Sequence, residues 1–289
     1  MALSIGIIGL GEMGYAISAV LRQRELPVWG FDVSCTRMRD FEALGGSACA
    51  SASVLAASCD LIVTLLPSET ALKSISVELG ALNGAGKYLA ECSTLGIDAK
   101  TDALKTVAKA GFSMLDAPIS GTAEQTREMK STVFLSGAKA DAEAMFPAFA
   151  QFTARQMYVG SFGAGMAIKL VSNHLVAVNT AAAAEAIRFG QAMGLDRATV
   201  HNLISGGPAS SGMFEIRGAR MVSGKYQPAS GKLAVMAKDR RLIEEAAQTA
   251  GYSLSVFETC FLAFDRAIED DDQNDLAIVI DYLVGEDSA

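Results

Sequence analysis

Gly9-Leu10-Gly11-Glu12-Met13-Gly14 is the first segment whose residue types and spacing point to chemistry. It follows the apolar stretch Leu3 to Ile8 and precedes Ala16, Ile17, Ala19, Val20 and Leu21, which are spaced as one face of a buried helix. In a strand, turn and helix, Gly9 permits the tight turn, Gly11 removes a side chain that would block a diphosphate, and Gly14 lets helix and sheet approach. Free amides at the helix start can then receive the diphosphate of a dinucleotide.

Asp32 closes a second apolar stretch, Val28 to Phe31. It is suited to accept hydrogen bonds from adenosine ribose hydroxyls and to repel a phosphate there, which favours NAD over NADP. Arg37 and Arg39 keep NADP open, since either can stack on adenine or contact a phosphate; their plainer role is at the solvent-facing start of a helix. Leu66 ends the third apolar strand, Pro67-Ser68 follow it, and Ser93-Thr94 follow the fourth. These are the carboxyl ends of parallel strands, where open sheets bind ligands, so they are candidate neighbours of a nicotinamide ribose. Each Ser or Thr there is equally able to cap the next helix.

The supporting elements alternate. Strands are expected at Val28 to Phe31, Leu61 to Leu66, Tyr88 to Ala90, Ser113 to Leu115, Thr132 to Leu135 and Gln156 to Val159. Helices are expected at Thr36 to Leu44, Ser51 to Ala57, Thr70 to Leu79, Ala99 to Ala110 and Ala140 to Phe149. This is the pattern of an α/β, doubly wound sheet covered on both faces, a Rossmann dinucleotide-binding domain over residues 1-162. After Gly163 the chain turns all-helical, over 163-289. It begins with one long alanine-rich helix, Met166 to about Met193, whose apolar residues spread around its circumference and predict burial on several sides. Arg197 to Ile204, Met213 to Val222, Leu233 to Ala250 and Ser255 to Ile268 complete it.

Composition narrows the functions. With 289 residues, 51% hydrophobic, the chain has material for two cores. A net charge of -8 and no basic groove exclude a nucleic-acid partner; the acidic cluster Glu269, Asp270, Asp271, Asp272 and Asp275 reads as a solvated helix end or turn. The five cysteines, Cys35, Cys49, Cys59, Cys92 and Cys260, form no CxxC pair, and the two histidines, His174 and His201, share no motif with carboxylates, so no disulfide framework and no metal site are expected. The apolar start lacks a basic leader region and no long uncharged apolar run follows, which predicts a cytoplasmic protein without a membrane span.

The chain resembles the β-hydroxyacid dehydrogenase family, which includes 3-hydroxyisobutyrate, tartronate semialdehyde and 6-phosphogluconate dehydrogenases. The likeness covers nearly the whole chain. It rests on Ile8 to Gly14, on Asp116-Ala117-Pro118-Ile119-Ser120-Gly121-Thr122 for the family's DAPVSGG, on Gly163-Ala164-Gly165-Met166-Ala167-Ile168-Lys169-Leu170-Val171-Ser172-Asn173 for GxGxxxKxxxN, and on Lys238-Asp239. The resemblance implies Lys169 as the catalytic residue, with Asn173, Ser120 and Gly121 placing the substrate hydroxyl and carboxylate; Thr122, next along the cradle, is a further substrate-binding candidate. Lys238 is implied beside the nicotinamide and the carboxylate. It also implies a homodimer or homotetramer.

The residues themselves are compatible with those roles. Lys169 and Asn173, four apart, emerge on one face of a helix. An alcohol losing hydride must also lose its proton, and a lysine can take it if burial and neighbouring positive charge lower its pKa. Taken alone, an isolated helical lysine is ordinarily a surface residue. Two departures stand out: Thr122 replaces the customary second glycine, placing a branched hydroxyl beside the cradle, and Ala123 to Lys130 lacks the usual glycine before the next strand. Arg127 or Lys130 can reach an additional acidic group or simply occupy a solvated turn. The expected activity is NAD-dependent oxidation of a small 3-hydroxy acid. The alternatives are an NADPH-dependent semialdehyde reductase of the same family and a non-catalytic nucleotide-binding scaffold. Imine reductases share the architecture but usually change the lysine position, so Lys169 argues against them.

Overall fold

The computed structural model of the chain describes residues 3–283, which fall into two compact units, Met1–Lys169 and Leu170–Ala289. The first alternates strands and helices: β1 (Ile5–Ile8), α1 (Glu12–Gln23), β2 (Val28–Phe31), α2 (Cys35–Ala43), β3 (Ser47–Ala48), α3 (Ala52–Ser58), β4 (Leu61–Thr64) and α4 (Glu69–Gly80). It continues with β5 (Tyr88–Glu91), α5 (Ile97–Ala108), β6 (Ser113–Asp116), β7 (Ile119–Ser120), α6 (Ala123–Arg127), β8 (Thr132–Ser136), α7 (Lys139–Phe149) and β9 (Arg155–Gly160).

All these strands join one sheet in the order β3-β2-β1-β4-β5-β6-β8-β7, with β9 on β8. From β3 to β6 every pairing is parallel. Every residue of β1 and β4 is buried, as central strands covered on both faces require. Alternation divides their side chains between two cores. Ile7 and Val63 join Leu21 and Phe149 on one face; Ile8 and Ile62 join Leu55 and Phe112 on the other.

Within the sheet, three features depart from the sequence expectation. Strand β4 ends at Thr64 rather than Leu66, because the Leu66 amide leaves the ladder to donate to Ser93 Oγ at 2.7 Å. Strands β3 and β7 were not anticipated; two residues carry no readable periodicity. The sheet also turns antiparallel at one end, where β8 pairs with Asp116 of β6 and with both residues of β7. Pro118 explains the break between β6 and β7. Ala117 still donates to Glu91 O on β5, whereas Pro118 has no N–H to give, and its carbonyl accepts from Phe134 of β8 instead.

Helix α8 (Ala164–Ala192) starts in the first unit and continues into the second, which adds α9 (Arg197–Ile204), α10 (Gly212–Ser223), α11 (Leu233–Thr249), α12 (Ser255–Asp271) and a short 3-10 turn, Leu276–Asp281. Gly194, at φ 88, stops α8 in a left-handed turn that lets Leu195 N return to Gly190 O. The burial expected on several sides of α8 is not seen within the chain. The stripe of Ala177, Ala181, Ala184 and Ile187 is covered, but Val171, Leu175 and Phe189 are 56%, 50% and 65% exposed. A polar knot closes the second unit. Asp275, expected with its acidic neighbours in a solvated helix end or turn, is instead fully buried: it pairs with Arg217 at 2.6 Å and accepts the amides of Ser230, Gly231 and Ala277.

Arg217→Met should therefore leave a buried carboxylate without its nearest cation and destabilise the chain by about 3–5 kcal/mol. Equilibrium urea unfolding checks this; an unchanged midpoint would show that the amides alone satisfy Asp275.

Candidate active site

Gly9 adopts φ 95, and a Cβ there would stand 2.1 Å from Leu65 O; at Gly14 it would meet Gly9 O at 2.0 Å. Both positions exclude any other residue, which brings β1, α1 and the β4 end into close backbone contact. Helices α2, α3 and α4 are each capped by a serine, Ser34, Ser51 and Ser68, but α1 begins at Gly11 with no side-chain cap. The uncapped first turn, running through Glu12, Met13 and Gly14, fits a dinucleotide diphosphate.

Asp32 stands beside this turn, its side chain 6% exposed. One oxygen accepts Leu10 N at 2.7 Å and the other Ser34 N at 2.8 Å, so the carboxylate ties the glycine turn to the start of α2. Arg37 lies 3.5 Å from Asp32 and within 3.4 Å of the space a Gly11 Cβ would fill. A cavity of about 380 Å³ opens here, lined by Gly11, Glu12, Tyr15, Arg37, Asp40 and Arg127 among others. Arg127 thus shares this cavity with the glycine turn, a placement outside the two options, an additional acidic group or a solvated turn, that sequence reasoning gave it.

The strand ends are braced together. Ser93 is almost fully buried; its hydroxyl holds Leu66 N, and its own amide donates to Glu91 Oε1 at 3.1 Å. Ser68, next to exposed Pro67, caps α4, while Ser93 and Thr94 leave α5 to begin at Gly96. Ser120, on β7, and Gly121, at φ 134, sit past the point where the parallel ladder stops. Thr122 caps α6: its hydroxyl accepts Gln125 N at 3.1 Å while Gln125 Oε1 accepts Thr122 N at 2.9 Å. Met129 holds φ 55, the left-handed conformation that a glycine would take without strain. Thr126 donates to Met13 Sδ at 3.3 Å, fastening α6 to the glycine-rich turn.

The first turn of α8 is bound to the sheet. Asp116 Oδ2 accepts Met166 N at 2.8 Å and the Ser136 hydroxyl at 3.0 Å; Ser136 Oγ in turn accepts Gly165 N at 2.9 Å. Lys169 is one turn further along this helix and half-buried, and Asn173 follows it by four residues. In the second unit, Asn173 is buried and donates from Nδ2 to Asp239 Oδ2 at 2.6 Å, while Lys238 Nζ lies 3.2 Å from Asp239 Oδ1. Sequence reasoning assigned Asp239 no role. It also missed Lys100 and Glu91, which lie buried beside Asp116. A signal for Lys100 was present: Lys100, Ala103 and Val107 are spaced along one buried face of α5. Among the described residues, no group of three or more His, Cys, Asp or Glu is arranged to hold a metal, and no helix is long and apolar enough to cross a membrane.

A glycine turn feeding uncapped amides at the carboxyl edge of this sheet, followed by an all-helical unit, defines an NAD(P)-dependent oxidoreductase. Residues 4–160 match the model of the NAD binding domain of 6-phosphogluconate dehydrogenase. Residues 163–283 match the NAD-binding model of NADP-dependent 3-hydroxyisobutyrate dehydrogenase. The chain belongs to the β-hydroxyacid dehydrogenase family. It is 30% identical to an L-threonate dehydrogenase of Cupriavidus necator, over 88% of this chain and 86% of that one. It is also 30% identical to mitochondrial 3-hydroxyisobutyrate dehydrogenase of Rattus norvegicus, over 84% and 75%. The 3-hydroxyisobutyrate dehydrogenase of Mycobacterium tuberculosis, solved with L-serine, shares the fold with a TM-score of 0.90 at 23% identity, covering 99% of this chain and 100% of that one.

Thr122→Ala should open the capping box and cost about 1 kcal/mol. A thermal melt measures the loss; an unshifted transition would mean that the hydroxyl contributes nothing as a cap.

Proposed function

We propose that the chain oxidises a small 3-hydroxy acid to the semialdehyde or keto acid, using NAD, with Lys169 as general acid/base. The observation that carries this reading is the anchored first turn of α8, which presents Lys169 and Asn173 on one helical face just beyond the Asp116 contact. The curated relatives point to the same substrate class, since the names L-threonate, 3-hydroxyisobutyrate and 2-(hydroxymethyl)glutarate dehydrogenase all describe hydroxy acids.

Bound nicotinamide supplies the hydride acceptor. The protein's part is position and proton management. Lys169 Nζ takes the hydroxyl proton as hydride leaves the carbinol carbon. Asn173 gives one amide proton to Asp239, which fixes the carboxamide and leaves its second N–H for the substrate oxygen. In the first unit, Ser120 Oγ and the Gly121 amide are the carboxylate cradle, with Thr122 shaping its wall; in the second, Lys238 is given its role at the nicotinamide and carboxylate by the family resemblance. Asp32 receives ribose hydroxyls, Leu66, Pro67, Ser93 and Thr94 line the nicotinamide side, and the turn from Gly9 to Gly14 holds the diphosphate. The chain acts as a cytoplasmic homodimer or homotetramer.

A second reading, NADPH-dependent reduction of a semialdehyde, has a specific observation in its favour. Arg37 is 54% exposed, lies beside Gly11 and shares its cavity with Arg127. A ribose phosphate would draw Arg37 from Asp32 and meet two guanidinium groups. Fluorescence titration with NADH and NADPH decides between them: tighter NADH binding is expected, and NADPH binding as well or better would overturn the role given to Asp32.

Lys169→Ala should lower kcat by about 10²–10⁴-fold while leaving NADH affinity within a few-fold. Undiminished oxidation would remove Lys169 from the proton transfer. The substrate set for the assay is L-serine, 3-hydroxyisobutyrate, threonate, glycerate and 3-hydroxypropionate. Intact NADH binding with no turnover on any of them would favour the non-catalytic scaffold.

A further inference from the structure

Glu91 and Asp116 end adjacent parallel strands and face each other in register. Both side chains are fully buried, an arrangement that repulsion would oppose without a cation between them. Lys100 provides that cation. Reaching down from α5, and itself fully buried, its Nζ lies 2.7 Å from Asp116 Oδ1, 2.8 Å from Glu91 Oε2 and 3.5 Å from Glu91 O. Burial pushes the Lys100 ammonium toward neutrality, but the two carboxylates outweigh it and raise the pKa. The remaining titratable neighbour, Cys92, stays a neutral thiol, because burial drives its pKa well above the ordinary range.

The far sides of the two carboxylates lead into the site. Asp116 Oδ2 holds Met166 N and, through Ser136, the Gly165 amide, so two first-turn donors of α8 end on this cluster. Gly165 sits tightly there: a Cβ would be 2.6 Å from Phe134 O. Glu91 Oε1 holds Ser93 N, and Ser93 holds Leu66 N. One ammonium group therefore stands behind both the Ser93 loop and the helix turn leading to Lys169. A cluster of two carboxylates and one ammonium carries one excess negative charge, and it lies against the positive end of α8.

We propose that Lys100 is a positioning residue for the reaction: it keeps Glu91 and Asp116 side by side, and through Asp116 it fixes the helix turn that presents Lys169. The proposal rests on Lys169 as the acid/base group. A parallel Lys169→Ala measurement separates the two, because full turnover in that variant would refute the reading of Lys169 whatever Lys100 does.

The test compares Lys100→Met with Lys100→Met/Glu91→Gln, measuring kcat, KM and NADH affinity on a hydroxy acid that the wild type turns over. Lys100→Met should lose about a hundredfold or more in kcat, while KM and NADH affinity move by less than about threefold. In that variant the two carboxylates face each other with no cation between them, and their repulsion displaces Asp116 from the first turn of α8. The double variant, with one carboxylate neutralised, should recover kcat to within about tenfold of wild type. If the single variant does not fold, the double variant alone carries the same expectation. The proposal is overturned by wild-type kcat in Lys100→Met, by parallel collapse of kcat, KM and affinity, or by a double variant no better than the single. It is also overturned if neither variant folds, since Lys100 would then serve stability only.

Discussion

Asp116 carries the constraint on which the first unit's candidate site depends: one carboxylate must end a buried strand, pair with a buried ammonium and receive the first turn of a long helix. A buried charge tolerates these demands only when every lone pair is directed at a donor. Here Oδ1 faces Lys100 while Oδ2 faces Met166 N and the Ser136 hydroxyl. The geometry leaves little freedom, because a partner lost on either oxygen exposes a charge to an apolar interior. Rigidity at the start of α8 thus follows from electrostatics as much as from packing.

The glycine-rich turn works by the opposite means. No side chain is asked to do anything at Gly9 or Gly14; backbone must approach backbone, and the α1 amides are left without a cap. Asp32 then joins the turn to the next element through Leu10 N and Ser34 N. Part of its acceptor capacity is already committed to the protein, so its pull on a ribose is shared with a structural duty.

How much the sequence disclosed depended on whether the responsible interaction is local. The turn from Gly9 to Gly14 was legible because its steric demand lies within a few consecutive residues. The doubly wound sheet and the helical second half followed from apolar periodicity. Thr122 was read only as a change in the substrate cradle; its hydroxyl also caps α6, and the Thr-x-x-Gln spacing that signals such a cap was there to be read. Lys169 and Asn173 were singled out chiefly through family resemblance, since a lone lysine on a helix carries no mark of its use. The buried cluster escaped because Glu91, Lys100 and Asp116 come from three elements: the spacing of Lys100 with Ala103 and Val107 marks it as facing inward but does not name the two carboxylates it meets.

Pro118 has a consequence for how the sheet comes together. Each parallel neighbour must wait for a crossover through at least one helix, and β1 meets β4 only after two strands and three helices, as the pairing of Ile5 with Leu61 illustrates. The stretch from Asp116 to Ser120 instead finds β8 through a compact return that contains only α6. Closing a short loop costs less chain entropy than closing a long one, so this corner is the cheapest non-helical contact for the unfolded chain to make. The residue that interrupts the ladder thereby gives the sheet a local seed, and the segment bearing Ser120 belongs to that seed rather than to the slow parallel assembly.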